Sequence, residues 1–433
     1  MYRSLTIKAF DLLALHQYNP ERYPCLLESS AKHSQLGQFS FLFAFPQTVL
    51  VLNDIDEFDF FAEFARLIKI EPHRTPLPFI GGWFVFLAYD MNVQIETVLR
   101  ASMPRADLSQ PLAYVLHIAA AVIIDHQKDC CYLVDECADG RHIEAMLADI
   151  EHIKNVSAEK ISGVLFEDSE ADFLHNVKKC QKYIMSGDIF QANLSRSWRF
   201  ELAEDLPASA IYHHLRRHNP ADFSALACFQ GYEIISSSPE RLFKVEKDRI
   251  ETRPIAGTAA KFGNQSRQIN INKLKHSPKE QAEHIMLVDL ERNDLGRVCH
   301  YGSIEVNELM TVESLAFVHH LVSNIRGRLC NHIGAAEIIK SLFPGGSITG
   351  CPKVRCMQII SELEGLRRGA YTGSLGYISR HGRMDFNILI RSFSKQKQNL
   401  FFRTGAGIVF DSDAHLELAE TYYKAKGLLA VFD

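Results

Sequence analysis

The chain has 433 residues, of which 47% are hydrophobic and 23% charged, a composition typical of a folded protein and not of a disordered one. No apolar run is long enough to cross a bilayer, which excludes membrane spans. With 47 Lys and Arg against 52 Asp and Glu, the net charge is -5 and no basic block is present, so nucleic acid is not an expected partner.

The N-terminal part, residues 1–150, is predicted to be a β-rich lobe. Its strand-like hydrophobic segments follow one another with turn residues between them. These segments are FSFLFAFPQTVLVLN from Phe39, WFVFLAY from Trp83, YVLHIAAAVIID from Tyr114 and CCYLVDE from Cys130. The polar, weakly periodic residues 151–172 are predicted to form a linker or crossing segment.

The cysteines indicate the compartment. Ten of them are scattered with no C-x-x-C pair, which favours reduced, buried thiols over a disulfide framework or a zinc knuckle. The N-terminus lacks the long apolar run and the cleavage site of a signal peptide. A cytoplasmic protein is therefore expected.

Residues 171–433 are predicted to form the catalytic region, because they hold nearly all of the glycine-punctuated motifs among alternating strands and helices. One helix is expected to begin near Ser169. A second begins after Ser277, where the sequence SPKE matches a capping box with proline at the first helical position. A third follows Asp413, a residue type that caps helices well.

Three charged residues of this last helix project from one face. Glu417, Glu420 and Lys424 are spaced at i, i+3 and i+7. Together with Glu283 on the preceding predicted helix, the two glutamates could bind Mg²⁺, which prefers carboxylate oxygens. Spacing alone equally allows a surface salt bridge, because Glu and Lys at i, i+4 form an ordinary solvated pair.

Two glycine-rich segments could present backbone amides to an anion. They are TGAG at residues 404–407 and FPGGSITG at residues 343–350. Each could also be a tight turn. The spacing of a Walker loop is not matched, because Cys351 and Pro352 follow the second segment, and this disfavours ATP chemistry.

Two further motifs carry a titratable side chain with more than one interpretation. His320, in the strand-like FVHHLVSNIRG, could be a core histidine or a functional one. Glu240 directly follows the turn-like Ser-Ser-Pro, where a general acid and a surface acid are equally plausible. Neither motif decides a function by itself.

Taken together, the motifs of residues 171–428 resemble those of the chorismate-binding enzymes, in the order of that family. The family includes anthranilate synthase component I, aminodeoxychorismate synthase component I, isochorismate synthases and salicylate synthases. The matching motifs are SSPERLF, TRPIAGT, EHIMLVDLERNDLGR, VHHLVSNIRG, FPGGSITGCPKVR with IISELE, YTGSLGYIS, ILIRSF, TGAGIVFDSDA and ELAETYYKAKGLL.

The N-terminal part extends the resemblance through ERYPCLLESS and GGWFVFLAYD. The first segment is similar to the one that lines a tryptophan pocket in the aminating members of the family. A candidate tryptophan pocket is therefore implied at Leu27, Glu28 and Ser29.

The resemblance implies how the two carboxylates of chorismate are bound. Mg²⁺, held by Glu283 and Glu420 with Glu417 adjacent, would bind the ring carboxylate. The side-chain carboxylate would be bound by a hydroxyl, a guanidinium and backbone amides. The residues implied for this second site are Tyr371, Arg391, Gly405, Ala406 and Gly407.

Catalytic roles are implied in the same way. Glu240 would protonate the departing 4-hydroxyl, since hydroxide is a poor leaving group. Lys424 would face the magnesium-held carboxylate. Further residues implied to act on or line the substrate are His320, Ser347, Ala256 and Thr258.

The nucleophile is predicted from one position. Water-using members of the family have a lysine that activates water, whereas this chain has Gln191 at the matching point of GDIFQANLS, and glutamine cannot serve as a base. Ammonia needs no such activation. The expected ammonia source is a separate glutamine amidotransferase subunit, since no glutaminase-like segment is seen in the sequence.

The sequence motifs do not all agree on which carbon of chorismate is aminated. QANLS, NPADFSA, GGSITGCPK and YTGSLGYIS with MDFNILIRSF resemble aminodeoxychorismate synthase, whereas anthranilate synthases usually read QVVLS, NPSPYMF and T-x-SGAPK. Against these signatures stands Ala256, where aminodeoxychorismate synthases commonly have a lysine that attacks C2. We expect amination at C4, with release of 4-aminobenzoate left to a separate lyase.

Two alternatives stay open beside this prediction. An anthranilate synthase would aminate C2 and eliminate pyruvate, and a non-catalytic protein would only bind chorismate or tryptophan. The resemblance also implies an α+β fold, an α/β sandwich of two associated lobes whose antiparallel sheets pack together with helices outside.

Overall fold

The structure is a computed structural model that describes residues 3–31, 37–104, 110–156, 159–260, 277–314 and 318–432. Its strands pair only in antiparallel fashion and join one hydrogen-bonded network of 20 strands. The strands are β1 (Arg3–Lys8), β2 (Cys25–Glu28), β3 (Phe39–Leu52), β4 (Gly82–Leu87), β5 (Ala113–Asp125), β6 (Cys130–Asp135), β7 (Gly163–Glu167), β8 (Gln191–Leu202), β9 (Phe223–Phe229), β10 (Tyr232–Ser238), β11 (Arg241–Glu246), β12 (Arg249–Thr252), β13 (Ile255–Ala260), β14 (Glu305–Ser314), β15 (Val318–Arg328), β16 (Gly350–Cys351), β17 (Ser374–Ser379), β18 (Met384–Asn387), β19 (Ser392–Gln396) and β20 (Asn399–Ile408).

The helices cover the outer faces of the strands. They are α1 (Leu12–Tyr18), α2 (Phe60–Leu67), α3 (Asn92–Ile95), α4 (Arg141–Ile150), α5 (Glu170–Met185), α6 (Ala208–His218), α7 (Pro278–Gly296), α8 (Ala335–Leu342), α9 (Lys353–Glu364) and α10 (Ala414–Leu429). None of those in the described ranges is long and apolar enough to cross a membrane.

The long strand β5 joins two sheets. It pairs with β3 along its whole length and, at its other edge, with β4 and β6. The first sheet continues from β3 through β2, β9, β10, β19, β20, β8 and β7. The second continues from β4 through β17, β18, β11, β12 and β15, and β15 also pairs with β13 and β14. Strands from both parts of the sequence thus enter both sheets.

The alternation of side chains in β3 shows how the sheets are held together. Successive side chains of a strand point to opposite faces, so the sequence FSFLFAF divides into two sets. Phe41 and Phe43 face the second sheet, where Phe43 lies 5.6 Å from Phe84 between ring centroids. Leu42 faces the opposite way, into the cluster formed with α1, α4, α6 and α10. The aromatic layer between the sheets and the helices outside confirm the α+β fold.

Most of the predicted elements are confirmed. The four predicted N-terminal strands correspond to β3 to β6, and Ser169 and Asp413 cap α5 and α10 through their side chains. The predicted linker at residues 151–172 is wrong in part, because it contains β7, which pairs with β8. The polar signal there reflects an edge strand exposed on both faces. The division into 1–150 and 171–433 remains a prediction about domains.

Candidate active site

The glycine-rich segment at residues 404–407 is part of β20 and is not a tight turn. Within this segment, Gly407 lies opposite Asn193 of β8. The backbone N–H of Asn193 donates to Thr349 O at 2.9 Å and not to β20. The pair formed by Asn193 and Gly407 is therefore not hydrogen-bonded, and Gly407 directs its own N–H away from β8. Gly405 has the same orientation two residues earlier, and its carbonyl accepts a hydrogen bond from Lys424 Nζ at 2.9 Å.

These glycines allow polar side chains to approach the strand closely. A Cβ atom on Gly405 would lie 2.6 Å from Asn193 Oδ1 and 2.8 Å from Tyr371 Oη. A Cβ atom on Gly407 would lie 2.5 Å from Gln191 Nε2. At Gly405 the backbone oxygen of Leu194 also lies 2.6 Å from this Cβ position, so only glycine fits there, whereas a side chain at Gly407 would have to displace the Gln191 amide. The strand, its N–H groups directed away from β8 and these side chains form one polar wall; we call the region in front of this wall the cleft.

Glu240 lies in this cleft at the end of β10. Its backbone is fixed on both sides, because its N–H donates to Ser238 Oγ at 3.2 Å and its carbonyl accepts from Ile388 N–H at 3.0 Å. Its carboxyl accepts a hydrogen bond from Ser347 Oγ at 2.7 Å. Burial raises the pKa of Glu240 to about 7, against the opposing effects of this hydrogen bond and of the Lys424 charge. Glu240 can therefore hold a proton near neutral pH.

Ser347 lies in a short 3-10 turn over residues 346–348, and this turn packs against an acidic cluster on α7. The carboxyl of Glu291 faces the backbone N–H of Gly346. Burial and the neighbouring Asp294 raise the pKa of Glu291 to about 8, whereas Lys353 opposes the shift. Lys353 forms an ion pair with Asp294. Glu291 is thus mainly protonated at neutral pH and lies behind the turn that presents Ser347 to Glu240.

Arg391 enters the cleft from the segment before β19. Its backbone has a φ of 51°, in the left-handed region that non-glycine residues rarely adopt. Burial lowers the pKa of its guanidinium, although Tyr423 and Glu240 oppose this shift. Within the described ranges no hydrogen bond or ion pair of this guanidinium is found. A partly exposed cation that has no partner among the described residues is suited to bind an anionic ligand.

Helix α10 places its predicted charged face beside the cleft. Lys424 Nζ lies 2.7 Å from Glu420 Oε1, so the i, i+4 pair is formed. Glu417 is buried and accepts a hydrogen bond from Ser412 Oγ at 2.7 Å. Glu420 also contributes to the electrostatic environment of Tyr371, whose pKa is raised to about 12, mainly by burial. Through Lys424, the helix brings a cation and its paired carboxylate, Glu420, to the wall formed by β20.

The third predicted metal ligand, Glu283, approaches the same wall from α7. Gln191 Nε2 donates to Glu283 Oε1 at 2.8 Å, and this oxygen lies 3.4 Å from the Cβ position of Gly407. The next residue, His284, is fully buried and lies 2.5 Å from Ser323 Oγ on β15, which holds α7 against the second sheet. Glu283 of α7 therefore lies at Gly407, whereas Lys424 of α10, which is paired with Glu420, binds the carbonyl of Gly405 two residues earlier.

The donor set suits magnesium, because Glu283, Glu417 and Glu420 offer only carboxylate oxygens and lie beside cationic groups that would accept the anionic ligand. In the described part of the chain, their ligand oxygens do not all lie within 4.8 Å of one another. One other group does meet that distance, Asp135 with Cys137 and His142. There the Asp135 oxygens already accept N–H groups of the chain, which indicates a structural role.

Some predicted residues are placed only in part. His320 is buried on β15, opposite Thr258 in the strand register. Ala256 is opposite Leu321 on the same strands, and the side chains of Ala256 and Thr258 lie outside the described part of the structure. The substrate roles predicted for these residues stay predictions.

A buried ion network supports the wall from behind. Glu364 accepts hydrogen bonds from Arg368 Nη2 at 2.8 Å and from Arg403 Nη2 at 3.1 Å. Although burial acts to raise it, the pKa of Glu364 is lowered by these two guanidinium groups. Arg368 also donates to Asn193 O at 2.6 Å, and its guanidinium carbon lies 5.5 Å from the centroid of the Tyr371 ring. We call Glu364, Arg368 and Arg403 the supporting network.

The candidate tryptophan pocket lies away from this cleft. Leu27 and Glu28 line a cavity of about 510 Å³, and Ser29 is buried beside them. The carboxylate of Glu28 accepts hydrogen bonds from Tyr212 Oη at 2.8 Å and from Arg216 Nη1 at 3.1 Å. The binding of tryptophan in this cavity stays a prediction.

Sequence reasoning did not identify Asn193, Glu291 or the supporting network as part of the site. The only signals were a polar residue inside a strand, an acid inside a helix, and the i, i+4 spacing of Glu364 and Arg368. Such patterns also occur on ordinary surfaces, so tertiary contacts were needed to interpret them.

Comparison with known proteins gives consistent matches. A family profile described as chorismate binding enzyme matches residues 23–430. The chain is 38% identical over 424 residues to a Synechocystis sp. protein named anthranilate synthase component I-like protein, covering 94% of this chain and 86% of that relative. It is 37% identical over 389 residues to aminodeoxychorismate synthase component 1 of Bacillus subtilis, covering 87% of this chain and 82% of that relative. The crystal structure of anthranilate synthase component I from Streptococcus pneumoniae matches with a TM-score of 0.80 at 29% identity, over 92% of this chain and 93% of that chain.

Proposed function

The chain belongs to the family of chorismate-binding enzymes and uses chorismate, and on this premise we propose that it aminates chorismate at C4 with ammonia. The product would be 4-amino-4-deoxychorismate, the precursor of 4-aminobenzoate for folate synthesis. The observation that carries the proposal is Glu240, a buried acid with a pKa of about 7 that is fixed by Ser347 in a cleft with cationic groups.

The proposed role of Glu240 is to protonate the leaving group. In the reaction the bond between C4 and its hydroxyl oxygen breaks, and the proton of Glu240 turns the departing group into water. Ammonia forms the new C–N bond, and the nitrogen then loses one proton, which can return to Glu240. Chorismate and ammonia thus give the aminated product and water, without an oxidant or a second cosubstrate.

Substrate binding is proposed to use the unpaired groups of the cleft. The guanidinium of Arg391, the hydroxyl of Tyr371 and the backbone N–H groups of Gly405 and Gly407 are suited to the side-chain carboxylate. Lys424 adds a positive charge at the same strand through its contact with the Gly405 carbonyl. These fixed groups would orient chorismate so that its hydroxyl faces Glu240.

A magnesium ion is proposed as the cofactor, held by Glu283, Glu417 and Glu420. When bound, it would neutralise the ring carboxylate and so strengthen substrate binding among several acids. Gln191, which donates to Glu283 Oε1, would orient this ligand.

The nature of Gln191 supports ammonia over water as the nucleophile. Its amide cannot accept a proton at neutral pH, and one end of it is already bound to Glu283. Neutral ammonia is a stronger nucleophile than neutral water and needs no base to activate it. Because the relatives are named component 1, we propose that a glutamine amidotransferase subunit supplies the ammonia.

A second candidate function is that of anthranilate synthase component I. Ala256 favours it, because an alanine cannot form the covalent bond to C2 that was expected of a lysine at this position. Relatives carrying the anthranilate synthase name are also similar to this chain, at 34% identity for the protein of Geobacillus stearothermophilus. That enzyme class would release an aromatic product directly.

The experiment that separates the two candidates is product analysis. The purified chain is incubated with chorismate, Mg²⁺ and ammonium, and the product is followed by mass spectrometry before and after addition of a 4-amino-4-deoxychorismate lyase. We expect a non-aromatic aminated product that the lyase converts to 4-aminobenzoate. Direct formation of 2-aminobenzoate would establish the second candidate in its place.

A control addresses the proposed cofactor. Removal of divalent ions with EDTA should abolish turnover, and excess Mg²⁺ should restore it. Turnover that persists at full rate in EDTA would contradict the proposed role of the three glutamates.

A further inference from the structure

Asn193 is a polar side chain in the cleft that has no assigned role. It is half-buried on β8, and its Oδ1 atom is buried without a hydrogen-bond partner in the described part of the chain. Buried side-chain amides in folded proteins usually have partners, so an unpaired one calls for an explanation.

The backbone of Asn193 is fixed by hydrogen bonds, so a poorly held backbone does not explain why its side-chain Oδ1 has no partner among the described residues. Its N–H donates to Thr349 O at 2.9 Å. Its carbonyl accepts from Arg368 Nη2 at 2.6 Å, in the supporting network. Two neighbouring elements therefore fix the position from which the amide projects.

Two other asparagines, Asn387 and Asn176, form hydrogen bonds through their side chains. Asn387 accepts a hydrogen bond from Leu375 N–H at 2.9 Å and donates to Phe223 O at 3.2 Å, so both ends of its amide are used. Asn176 donates to Leu363 O at 2.8 Å. The side chain of Asn193 is equally well placed in a strand but forms no such bond among the described residues.

The amide of Asn193 points to the proposed carboxylate site. Both Asn193 Oδ1 and Tyr371 Oη lie within 3 Å of the Cβ position of Gly405. The N–H of Gly405 is directed away from β8, and Lys424 binds the carbonyl of that glycine. A 180° rotation of the amide exchanges its oxygen and its NH₂ group, so the same place can present an acceptor or two donors.

We propose that Asn193 is a further substrate-binding residue, whose amide N–H donates to the side-chain carboxylate of chorismate alongside Tyr371. This inference rests on the proposed substrate site and adds a specificity-determining side chain to it. A carboxylate accepts several hydrogen bonds, so a neutral donor between the hydroxyl and the backbone N–H groups would fix its orientation.

The test compares two variants of the full chain by calorimetric titration with chorismate in the presence of Mg²⁺ and without ammonium. Asn193→Val removes the amide and keeps a residue suited to a strand. We expect its dissociation constant to rise about 10- to 100-fold, as for the loss of one hydrogen bond to a charged group. Asn193→Asp has nearly the same shape but adds a negative charge, and we expect a larger rise.

The ligand provides a second arm of the test. The ligand here is a chorismate analogue whose side-chain carboxylate is replaced by a neutral amide. For this analogue, the dissociation constant of Asn193→Asp should be close to that of wild type. Asn399→Asp, at the far end of the same strand pair, is the matched control and should bind chorismate like wild type. Melting curves of all variants show whether a loss of binding reflects unfolding.

The outcomes separate this inference from the proposed function. If folded Asn193→Val binds chorismate as tightly as wild type, or if wild type itself fails to bind, the inference is overturned. If wild type and Asn399→Asp bind chorismate and the two folded Asn193 variants bind it weakly, the inference holds, even when product analysis finds no C4 amination.

Discussion

Two arginines beside the cleft, Arg368 and Arg391, have opposite surroundings. Arg368 is buried in the supporting network, where it donates to Glu364, to Asn193 O and to Ile348 O. Arg391 is partly exposed, its guanidinium has no hydrogen bond among the described residues, and partial burial lowers its pKa. The charge of Arg368 is paired within the protein, whereas the charge of Arg391 is available to a ligand.

This contrast shows how the site is built. Burial of a charge is costly unless hydrogen bonds and an opposite charge compensate for it. The network achieves this compensation and thereby fixes the wall that carries Asn193 and Tyr371. The cleft groups, by which we mean Glu240, Arg391 and Asn193, are incompletely compensated and depend on that rigid wall for their position. The following predictions test this division, beginning with the largest expected effect.

Glu240→Gln should lower kcat by about 10²- to 10⁴-fold, the range for loss of a general acid, because glutamine cannot give a proton to the leaving hydroxyl. The melting temperature should stay near that of wild type or rise, since a buried amide replaces a buried acid. Steady-state kinetics with ammonium, with the exposed Glu63→Gln as control, measure the effect. A rate within threefold of wild type would remove Glu240 from the mechanism.

The pH dependence follows from the same group. In wild type, kcat/KM should fall as pH rises through about 7, where Glu240 loses its proton in the free enzyme. The profile of Glu240→Gln should lack this decline. An identical decline in the variant would assign it to another group.

Arg368→Met should act on stability first. It leaves the Glu364 carboxylate buried with one partner fewer, and breaking a buried pair in this way costs about 3–5 kcal/mol. Denaturant unfolding should show this loss, whereas the exposed pair of Arg100 and Asp56 should lose at most about 1 kcal/mol in Arg100→Met. Equal losses in the two variants would contradict the supporting role.

Arg391→Gln should act on binding and leave stability almost unchanged. Loss of a hydrogen bond between charged groups costs about 1.5–3 kcal/mol, so kcat/KM should fall by roughly 10- to 100-fold. The free energy of unfolding should stay nearly equal, because the variant removes a partly exposed charge that has no partner among the described residues. A marked loss of stability would make Arg391 a structural arginine like Arg368.

Glu291→Gln should have the smallest effect, and that effect should depend on pH. The folded protein keeps the Glu291 proton up to a pH of about 8, whereas the unfolded chain releases it near 4.5. The folded state therefore binds more protons in this window, and the stability contributed by the group is lost as pH rises. The free energy of unfolding should be measured at pH 5 and at pH 9. Relative to wild type, that of the variant should be higher at pH 9 than at pH 5 by about 1 kcal/mol or more. No change in the difference between the two pH values would contradict a proton on Glu291.

Local patterns predicted much of the fold correctly. Alternation in FSFLFAF and the caps at Ser169 and Asp413 depend on neighbours in the chain, so β3, α5 and α10 could be predicted from the sequence. The segment at residues 163–167 could not, because its strand character depends on pairing with β8, which is distant in sequence. The glycines at 405 and 407 indicated either backbone amides presented to an anion or a tight turn, and only the pairing of β20 with β8 shows that the segment is a strand.

By itself the sequence determined the family, the antiparallel α+β architecture and the identity of the acids, arginines and glycines available for chemistry. Only the tertiary structure shows which of these groups have hydrogen-bond and ion-pair partners, because burial and partners arise from contacts between distant segments. Glu240 and Glu291 are the same residue type, yet one faces the cleft and the other lies behind the Ser347 turn. Arg368 and Arg391 differ in the same way, since the cost of burying a charge depends on its surroundings and not on its place in the chain.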